Sequence, residues 1–299
     1  MSILVLGTVA LDTVKTPFGR RKRILGGSAA HFSMVARLFT DVHLVGVVGK
    51  NFPKIHVDFL KKKKIVLDSL ISSAGKTFEW EGEYKGDLNT AVTLRTELGV
   101  LATFKPVISN KQRKIKHVFL ANVDPDIQNY FLSKVDSPQL VGLDSMNFWI
   151  EHKRSSLLRL LKKVDIYVAN DQEARHLSGE HSLINAAKYL HSRGPKMILI
   201  KKGEHGAFLF SDKFIFSLPA YPIHRVIDPT GAGDTFAGGF MGYLARAKKI
   251  TAEKLKKAVA YGVIAASFNV EAFGVERTHS LKIEDLDYRL KKFRDYVLF

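Results

Sequence analysis

The sequence contains no cysteine in its 299 residues, which excludes disulfide bonds and thiolate metal sites. It also lacks any run of eighteen or more apolar residues, so no membrane-spanning helix is expected. Residues 1–7 have neither the basic lead nor the cleavage site of a secretory signal, and they are typical of a buried strand. These absences favour a cytoplasmic protein.

Acidic residues are scarce relative to basic ones. Lysine and arginine total 46 against 29 aspartate and glutamate residues, which gives a formal net charge of +17. Such a chain attracts nucleotides, sugar phosphates or nucleic acids. The basic residues are dispersed and accompany no recognised binding motif, so specific nucleic-acid binding is not expected. One basic run, at 20–23, could attract a phosphorylated acceptor or could simply be a solvated turn.

Short apolar runs alternate with helical patterns along most of the chain, up to a last helix at 251–270. This rhythm predicts an α/β fold in which helices cover both faces of a parallel sheet. Residues 8–25 and 76–98 instead alternate apolar and polar residues, which is typical of antiparallel hairpins with one solvated face. We expect them to form a small antiparallel β lid over a pocket. No linker or repeat divides the chain, so a single domain over residues 1–299 is predicted.

The most informative stretch is DPTGAGDTF at residues 228–236, which predicts a tight glycine turn that opens a helix. The small residues Gly231, Ala232 and Gly233 leave backbone N–H groups free to face a ligand at the positive end of the helix dipole. That geometry suits a phosphoryl group. Asp234, in the first turn, could take a proton from an attacking hydroxyl, or it could only stabilise the helix dipole.

This stretch resembles the C-terminal signature of the ribokinase-like (PfkB) carbohydrate and nucleoside kinases. The segment GGSAA at 26–30, followed by a helix and by VGVVG at 45–49, is similar to the N-terminal signature of that family. The resemblance implies a three-layer αβα fold with a mostly parallel central sheet. It also implies an ATP- and Mg²⁺-dependent kinase in which Asp234 is the general base and the amides of residues 231–233 form the anion hole.

The resemblance also places the nucleotide and metal sites. Asn170 and Glu173 match an Asn-x-x-Glu motif whose glutamate positions Mg²⁺ through water, although from spacing alone the pair could equally be a helix N-cap. Asp228 matches a position that helps to hold a monovalent cation such as K⁺ in some members. The residues implied to contact the nucleotide are Asn170, Lys202, Gly203, Gly206, Thr230 and Gly274.

On the acceptor side, Asp12 matches the carboxylate that holds sugar hydroxyls in many relatives, although it could be only a turn residue. His31 stands where many sugar-specific relatives have asparagine, and it could also be an ordinary helix-face residue. Phe78 on the lid could stack on a base or a sugar, or it could pack against a partner. The residues implied to bind the acceptor are Asp12, Gly26, Gly27, Ser28, His31 and Phe78.

Since most of these residues follow predicted strands, we expect them to meet at the C-terminal edge of the sheet. The leading hypothesis is a kinase that phosphorylates a sugar or sugar acid. A nucleoside is the second acceptor class and a phosphosugar the third. A regulator that binds a sugar or nucleotide without turnover is the alternative, although a base at position 234 would serve no purpose there. The resemblance further implies a homodimer formed through the lid.

Overall fold

The computed structural model describes residues 1–86 and 88–298. A nine-stranded sheet forms its centre, and a four-stranded sheet stands beside it. The strands are β1 (Ser2–Leu6), β2 (Ala10–Thr16), β3 (Gly19–Gly26), β4 (Asp41–Gly49), β5 (Val66–Ser73), β6 (Glu79–Tyr84), β7 (Ala91–Glu97), β8 (His117–Leu120), β9 (Leu140–Asp144), β10 (Ile166–Asn170), β11 (Met197–Lys201), β12 (Ala207–Ser211) and β13 (Ile215–Leu218).

Helices follow most of the strands of the large sheet. They are α1 (Ser28–Ala36), α2 (Lys54–Lys62), α3 (Asn110–Arg113), α4 (Pro125–Leu132), α5 (Asn147–His152), α6 (Arg154–Leu161), α7 (Asp171–Ser178), α8 (Leu183–Ser192), α9 (Ala232–Ala245), α10 (Ala252–Asn269) and α11 (Ile283–Val297). Short 3₁₀ turns lie at Gly99–Thr103, Gly203–His205 and Thr278–Ser280. Within residues 1–86 and 88–298, no helix has the length and apolarity needed to cross a membrane.

The large sheet has the strand order β13-β12-β11-β10-β9-β8-β1-β4-β5. Every pairing from β5 to β11 is parallel, and β12 and β13 extend the sheet in antiparallel pairing. The parallel strands therefore end at one common edge, where loops and helix starts converge.

Strand β1 explains why helices cover both faces of this sheet. Its side chains alternate between two buried clusters, since successive residues of a strand point to opposite faces. Ile3 and Val5 pack with α1, α9 and α10, whereas Leu4 and Leu6 pack with α4, α6 and α8. The predicted three-layer fold with a mostly parallel sheet is confirmed.

The smaller sheet is the predicted lid, with the strand order β3-β2-β6-β7. Its two hairpins are antiparallel, and they join through a parallel pairing of β2 with β6. The basic run at 20–23 lies on β3, where Arg20 pairs with Glu81 and Arg23 pairs with Glu79. These two arginines are thus engaged within the lid and not presented to an anionic acceptor.

Three helices were absent from the sequence-based prediction. Helix α11 follows the helix that was expected to be the last, and it buries Leu286, Leu290 and Phe293 along one stripe of a highly charged segment. This spacing is a helical signal that the sequence analysis overlooked. Helices α3 and α5 have only four and six residues, which is too short to show a helical period.

Candidate active site

The glycine turn at the start of α9 is the centre of the site. Gly231 has φ of 73°, a left-handed conformation that a glycine adopts without strain. The Ala232 N–H donates to the Pro229 carbonyl at 3.1 Å, so this amide is not free, contrary to the prediction. Among the described residues, the N–H groups of Gly231 and Gly233 make no hydrogen bond. Two of the three predicted amides are therefore available to an anion.

Asp234 lies in the first turn of α9, partly exposed beside these amides. Burial raises the pKa of Asp234 to about 7, and the negative charge of Asp144 adds to this shift. The positive charge of Lys201 opposes it. A carboxyl group with a pKa near 7 is matched to general-base work at neutral pH.

The sequence analysis missed the charged pair that stands next to this turn. The Lys201 Nζ atom, at the end of β11, lies 2.9 Å from Asp144 Oδ2, at the end of β9. It also borders the turn, because a Cβ added at Gly233 would lie 2.9 Å from Nζ. Nearby negative charges outweigh burial and raise the pKa of Lys201, so this group carries a positive charge.

Lys202, which the sequence analysis implied as a nucleotide contact, is the next residue along the chain. Its backbone N–H donates to the Gly206 carbonyl at 2.7 Å, closing the turn after β11. Lys201 is thus the lysine found beside Gly233, and a nucleotide contact by Lys202 stays a prediction.

Asn170 and Glu173 form a reciprocal capping box at the start of α7. The Glu173 N–H donates to Asn170 Oδ1, and the Asn170 N–H donates to Glu173 Oε2, both at 2.7 Å. Asn170 is therefore the N-cap of α7, which is one of the two roles that the spacing allowed. Burial raises the pKa of Glu173 to about 8, and Lys201 partly opposes this effect.

The same pair can serve a hydrated metal ion. Hydrogen bonds from the described residues reach only Oε2 of Glu173, which leaves Oε1 for a water ligand. Across residues 1–86 and 88–298, no three histidine, aspartate or glutamate side chains come close enough to hold a metal by themselves. This donor set fits Mg²⁺, which retains waters and binds through substrate phosphates.

Asp228 ties the segment before the glycine turn to the end of the chain. Its Oδ1 accepts from the Thr230 N–H, and its Oδ2 accepts from the Gly274 N–H, both at 2.9 Å. The side chain is completely buried. Both oxygens therefore already hold backbone groups, and a monovalent cation beside Asp228 stays a prediction.

Asp12, which is predicted to bind the acceptor, lies on the lid strand β2. Its Oδ2 accepts from the Gly27 N–H at 3.3 Å, and a Cβ added at Gly26 would lie 1.9 Å from the same oxygen. Gly26 thus makes room for the carboxylate. Burial raises the pKa of Asp12 to about 7, and the charges of Asp228 and Asp234 add to the shift. Asp234 is therefore close enough to act on Asp12 electrostatically.

Ser28, His31 and Phe78 have structural partners that the sequence did not reveal. Ser28 Oγ accepts from the Thr8 N–H at 3.1 Å, and its side chain is buried. His31 is only 2% exposed, and its Nδ1 lies 3.3 Å from Asn269 Oδ1, so a contact with the acceptor stays a prediction. Phe78 packs against one core cluster of the large sheet, so stacking on a substrate stays a prediction.

The lid reaches both halves of the site. Tyr84 on β6 lies with its hydroxyl 3.4 Å from Thr230 Oγ1, next to the glycine turn. In the connection between β6 and β7, Asn89 Nδ2 lies 3.4 Å from Glu204 Oε1. Glu204 belongs to the turn that includes Gly203. The lid therefore stands over the edge of the sheet where the predicted residues meet.

Fold and site together define a small-molecule kinase, with a lid over a carboxylate at an amide-lined helix start. The profile described as "pfkB family carbohydrate kinase" matches residues 5–280. The chain therefore belongs to the PfkB family of carbohydrate kinases. It is an ATP-dependent phosphotransferase with an alcohol group as acceptor, and kinases of this family use ATP with Mg²⁺.

Individual relatives agree with this placement. The chain is 31% identical over 260 residues to a cytidine kinase of Thermococcus kodakarensis, covering 84% of this chain and 91% of that protein. The nucleoside kinase structure from Methanocaldococcus jannaschii superposes with a TM-score of 0.78 at 22% identity, covering 97% and 98% of the two chains. Aminoimidazole riboside kinase from Salmonella enterica, solved with its riboside and an ATP analogue, gives 0.76 at 19% identity, covering 97% and 100%.

Proposed function

We propose that this protein transfers the γ-phosphate of ATP to a hydroxyl group of a nucleoside, with Asp234 as the general base. The observation that carries the proposal is the position of Asp234. This carboxylate stands in the first turn of α9 beside the unbonded amides of Gly231 and Gly233. Its pKa of about 7 leaves a large ionised fraction at neutral pH while keeping the group basic.

In the proposed mechanism, Asp234 accepts the proton of the acceptor hydroxyl as the oxygen attacks the γ-phosphorus. Phosphoryl transfer needs little covalent help from a protein, so positioning and charge stabilisation dominate. The amides of Gly231 and Gly233 stabilise negative charge on the phosphoryl oxygens. Lys201, which borders Gly233, adds a fixed positive charge at the same place.

Glu173 would orient Mg²⁺ through a water ligand, and the ion would supply charge neutralisation at the phosphates of ATP. The capping box supports this role because the Asn170 N–H fixes one oxygen of the carboxylate, and the Glu173 N–H in turn holds the Asn170 side chain. The turn of Gly203 and Gly206, together with Gly274, lies on the proposed nucleotide side. A stimulating effect of K⁺ through Asp228 belongs to the same proposal and is tested by replacing K⁺ with Na⁺.

Sequence similarity favours a nucleoside over a free sugar. The cytidine kinase of Thermococcus kodakarensis matches across 91% of its own length, and a nucleoside kinase of Methanocaldococcus jannaschii matches across 87% of its length. Asp12 presents a buried carboxylate that suits the paired hydroxyls of a ribose ring, free or in a nucleoside. A free sugar stays the second candidate, because the same diol occurs in both classes.

The deciding experiment incubates the protein with Mg²⁺, ATP and a panel of acceptors, and detects products by mass spectrometry. The panel contains cytidine, uridine, adenosine, inosine, ribose, fructose and fructose 6-phosphate. We expect a nucleoside monophosphate to form with a higher kcat/KM than any sugar phosphate. Products from sugars alone would replace the nucleoside assignment. Binding without any product would instead favour the regulator.

A further inference from the structure

Asn269, at the end of α10, connects three parts of the active site, and the sequence analysis did not single it out. It is completely buried. Its Nδ2 donates to the Thr230 carbonyl at 2.8 Å, and its Oδ1 accepts from the Thr235 hydroxyl at 2.9 Å. The same Oδ1 lies 3.3 Å from Nδ1 of His31 on α1. One amide group thus bonds both sides of the glycine turn and the helix behind it.

These contacts also determine the tautomer of His31. A carbonyl oxygen only accepts hydrogen bonds, so the atom of Asn269 that faces Thr230 must be the amide nitrogen. The amide oxygen then faces His31, and Nδ1 of the imidazole must carry the proton. Burial lowers the pKa of His31 to about 4, so the ring is neutral at physiological pH. Nε2 is consequently the unprotonated nitrogen.

The His31 ring lies directly behind Gly231. A Cβ added at Gly231 would lie 2.3 Å from two ring atoms, so the imidazole limits how far the turn can move back. On the other side, the bond to the Thr230 carbonyl holds the preceding peptide. Gly231 therefore sits between two groups that Asn269 orients.

We propose that Asn269 is a positioning residue for phosphoryl transfer: it fixes the glycine turn through Thr230 and Thr235, and it orients His31 behind Gly231. The inference rests on the proposed function, because the turn is taken to stabilise the transferring group. Misplacement of such a group by about 1 Å lowers a rate by roughly 10²-fold. The effect appears in kcat, since ATP and the acceptor make their own binding contacts.

Two variants separate the donor atom of Asn269 from its acceptor atom. Asn269→Ala removes both the donor to Thr230 and the acceptor that Thr235 and His31 share. Asn269→Asp keeps the acceptor and loses the donor, so it also serves where the alanine variant does not fold. Ser267→Ala on the same helix is the matched control, because this buried hydroxyl bonds Ile264 and Arg289, away from the site.

The measurements are kcat and KM for both substrates, and ring-nitrogen NMR shifts of His31. Wild type should show a protonated Nδ1. Both Asn269 variants should lose at least about tenfold in kcat, with KM within about threefold. Asn269→Asp should keep the proton on Nδ1 of His31 and raise the pKa of this ring. Asn269→Ala should no longer favour the tautomer that is protonated on Nδ1. Ser267→Ala should leave both readouts unchanged.

A wild-type His31 protonated on Nε2, or variants with unchanged kcat per folded molecule, would overturn the proposal. The NMR result does not depend on turnover. If wild type phosphorylates no acceptor, the proposed function fails, and the NMR comparison alone then decides whether Asn269 orients His31.

Discussion

Asp12 and Asp234 are both carboxyl groups whose pKa is raised to about 7, in each case chiefly by burial. Their ordinary value is 3.8, so these two groups, like Glu173, ionise far above the usual range of a carboxyl group. In the proposed roles, Asp234 is ionised when it accepts a proton, and Asp12 is ionised when it accepts hydrogen bonds from two hydroxyls. The proposed function therefore makes activity depend on the loss of both protons as the pH rises.

The expected pH dependence follows directly. With Mg²⁺ and ATP saturating, so that the metal ion keeps Glu173 ionised, the logarithm of kcat/KM for the acceptor should be flat above about pH 8. It should fall below pH 7 with a slope approaching two. Asp12→Asn should weaken acceptor binding and reduce the slope to about one, because a single carboxyl group then titrates. Initial rates between pH 5 and 9 measure this. A wild-type profile that stays flat down to pH 5 would contradict the proposed roles.

The two neighbouring lysines give a second prediction at this scale. Lys201→Met should lower kcat by about 10²-fold, because it removes the fixed positive charge beside Gly233 and leaves Asp144 buried without its partner. Lys202→Met is the matched control, and its kcat should stay within about threefold of the wild-type value. Steady-state kinetics of both variants decide the matter. Equal losses of kcat in the two variants would mean that the position of Lys201 beside the glycine turn gives it no special role.

Among the structural elements, the start of α9 depends most on a single residue. Gly231→Ala should destabilise the protein by about 3 kcal/mol or more and nearly abolish activity, because the added methyl group combines backbone strain with a collision against His31. Gly179 is a suitable control, since it has a similar φ of 79° and nothing within 4 Å of an added Cβ. Gly179→Ala should cost only about 1 kcal/mol.

Urea unfolding of both variants measures the difference. Equal losses of stability in Gly231→Ala and Gly179→Ala would show that the His31 ring does not constrain the turn. The claim that His31 shapes the anion hole would then be refuted.

The sequence predicted elements better than it predicted contacts. Strand β1 and the start of α9 have uninterrupted local signals, and both lie where they were expected. By contrast, Asn269 is distant from His31 in the sequence, and no local pattern indicates that the two side chains meet. The position of Lys201 beside Gly233 likewise depends on how the end of β11 packs against the start of α9. Tertiary packing, and not spacing, determines these details.

At the scale of the whole molecule, the lid carries exposed apolar side chains along one edge. Strand β7 is an edge strand of the lid sheet, and its residues Val92 and Leu94 are each more than half exposed. Leu94 falls at an irregularity in the pairing of β7 with β6, close to Val92 along the edge. We propose that this edge of the lid pairs with a second copy of the chain, as the sequence analysis expected.

Light scattering after size-exclusion chromatography tests the dimer. Wild type should have twice the mass of the chain at micromolar concentration, and Leu94→Glu should shift it to the monomer. Ile55→Glu is the control, because Ile55 is an exposed residue of α2 and not of the lid. A monomeric wild type would refute the proposed interface.

The central claim is that Asp234 deprotonates the acceptor, and the turnover number of Asp234→Asn tests it most directly. The substitution keeps the size of the side chain and removes its basicity. With the acceptor identified by mass spectrometry, kcat should fall by at least about 10²-fold while KM for ATP changes little. Turnover close to that of wild type would contradict the account.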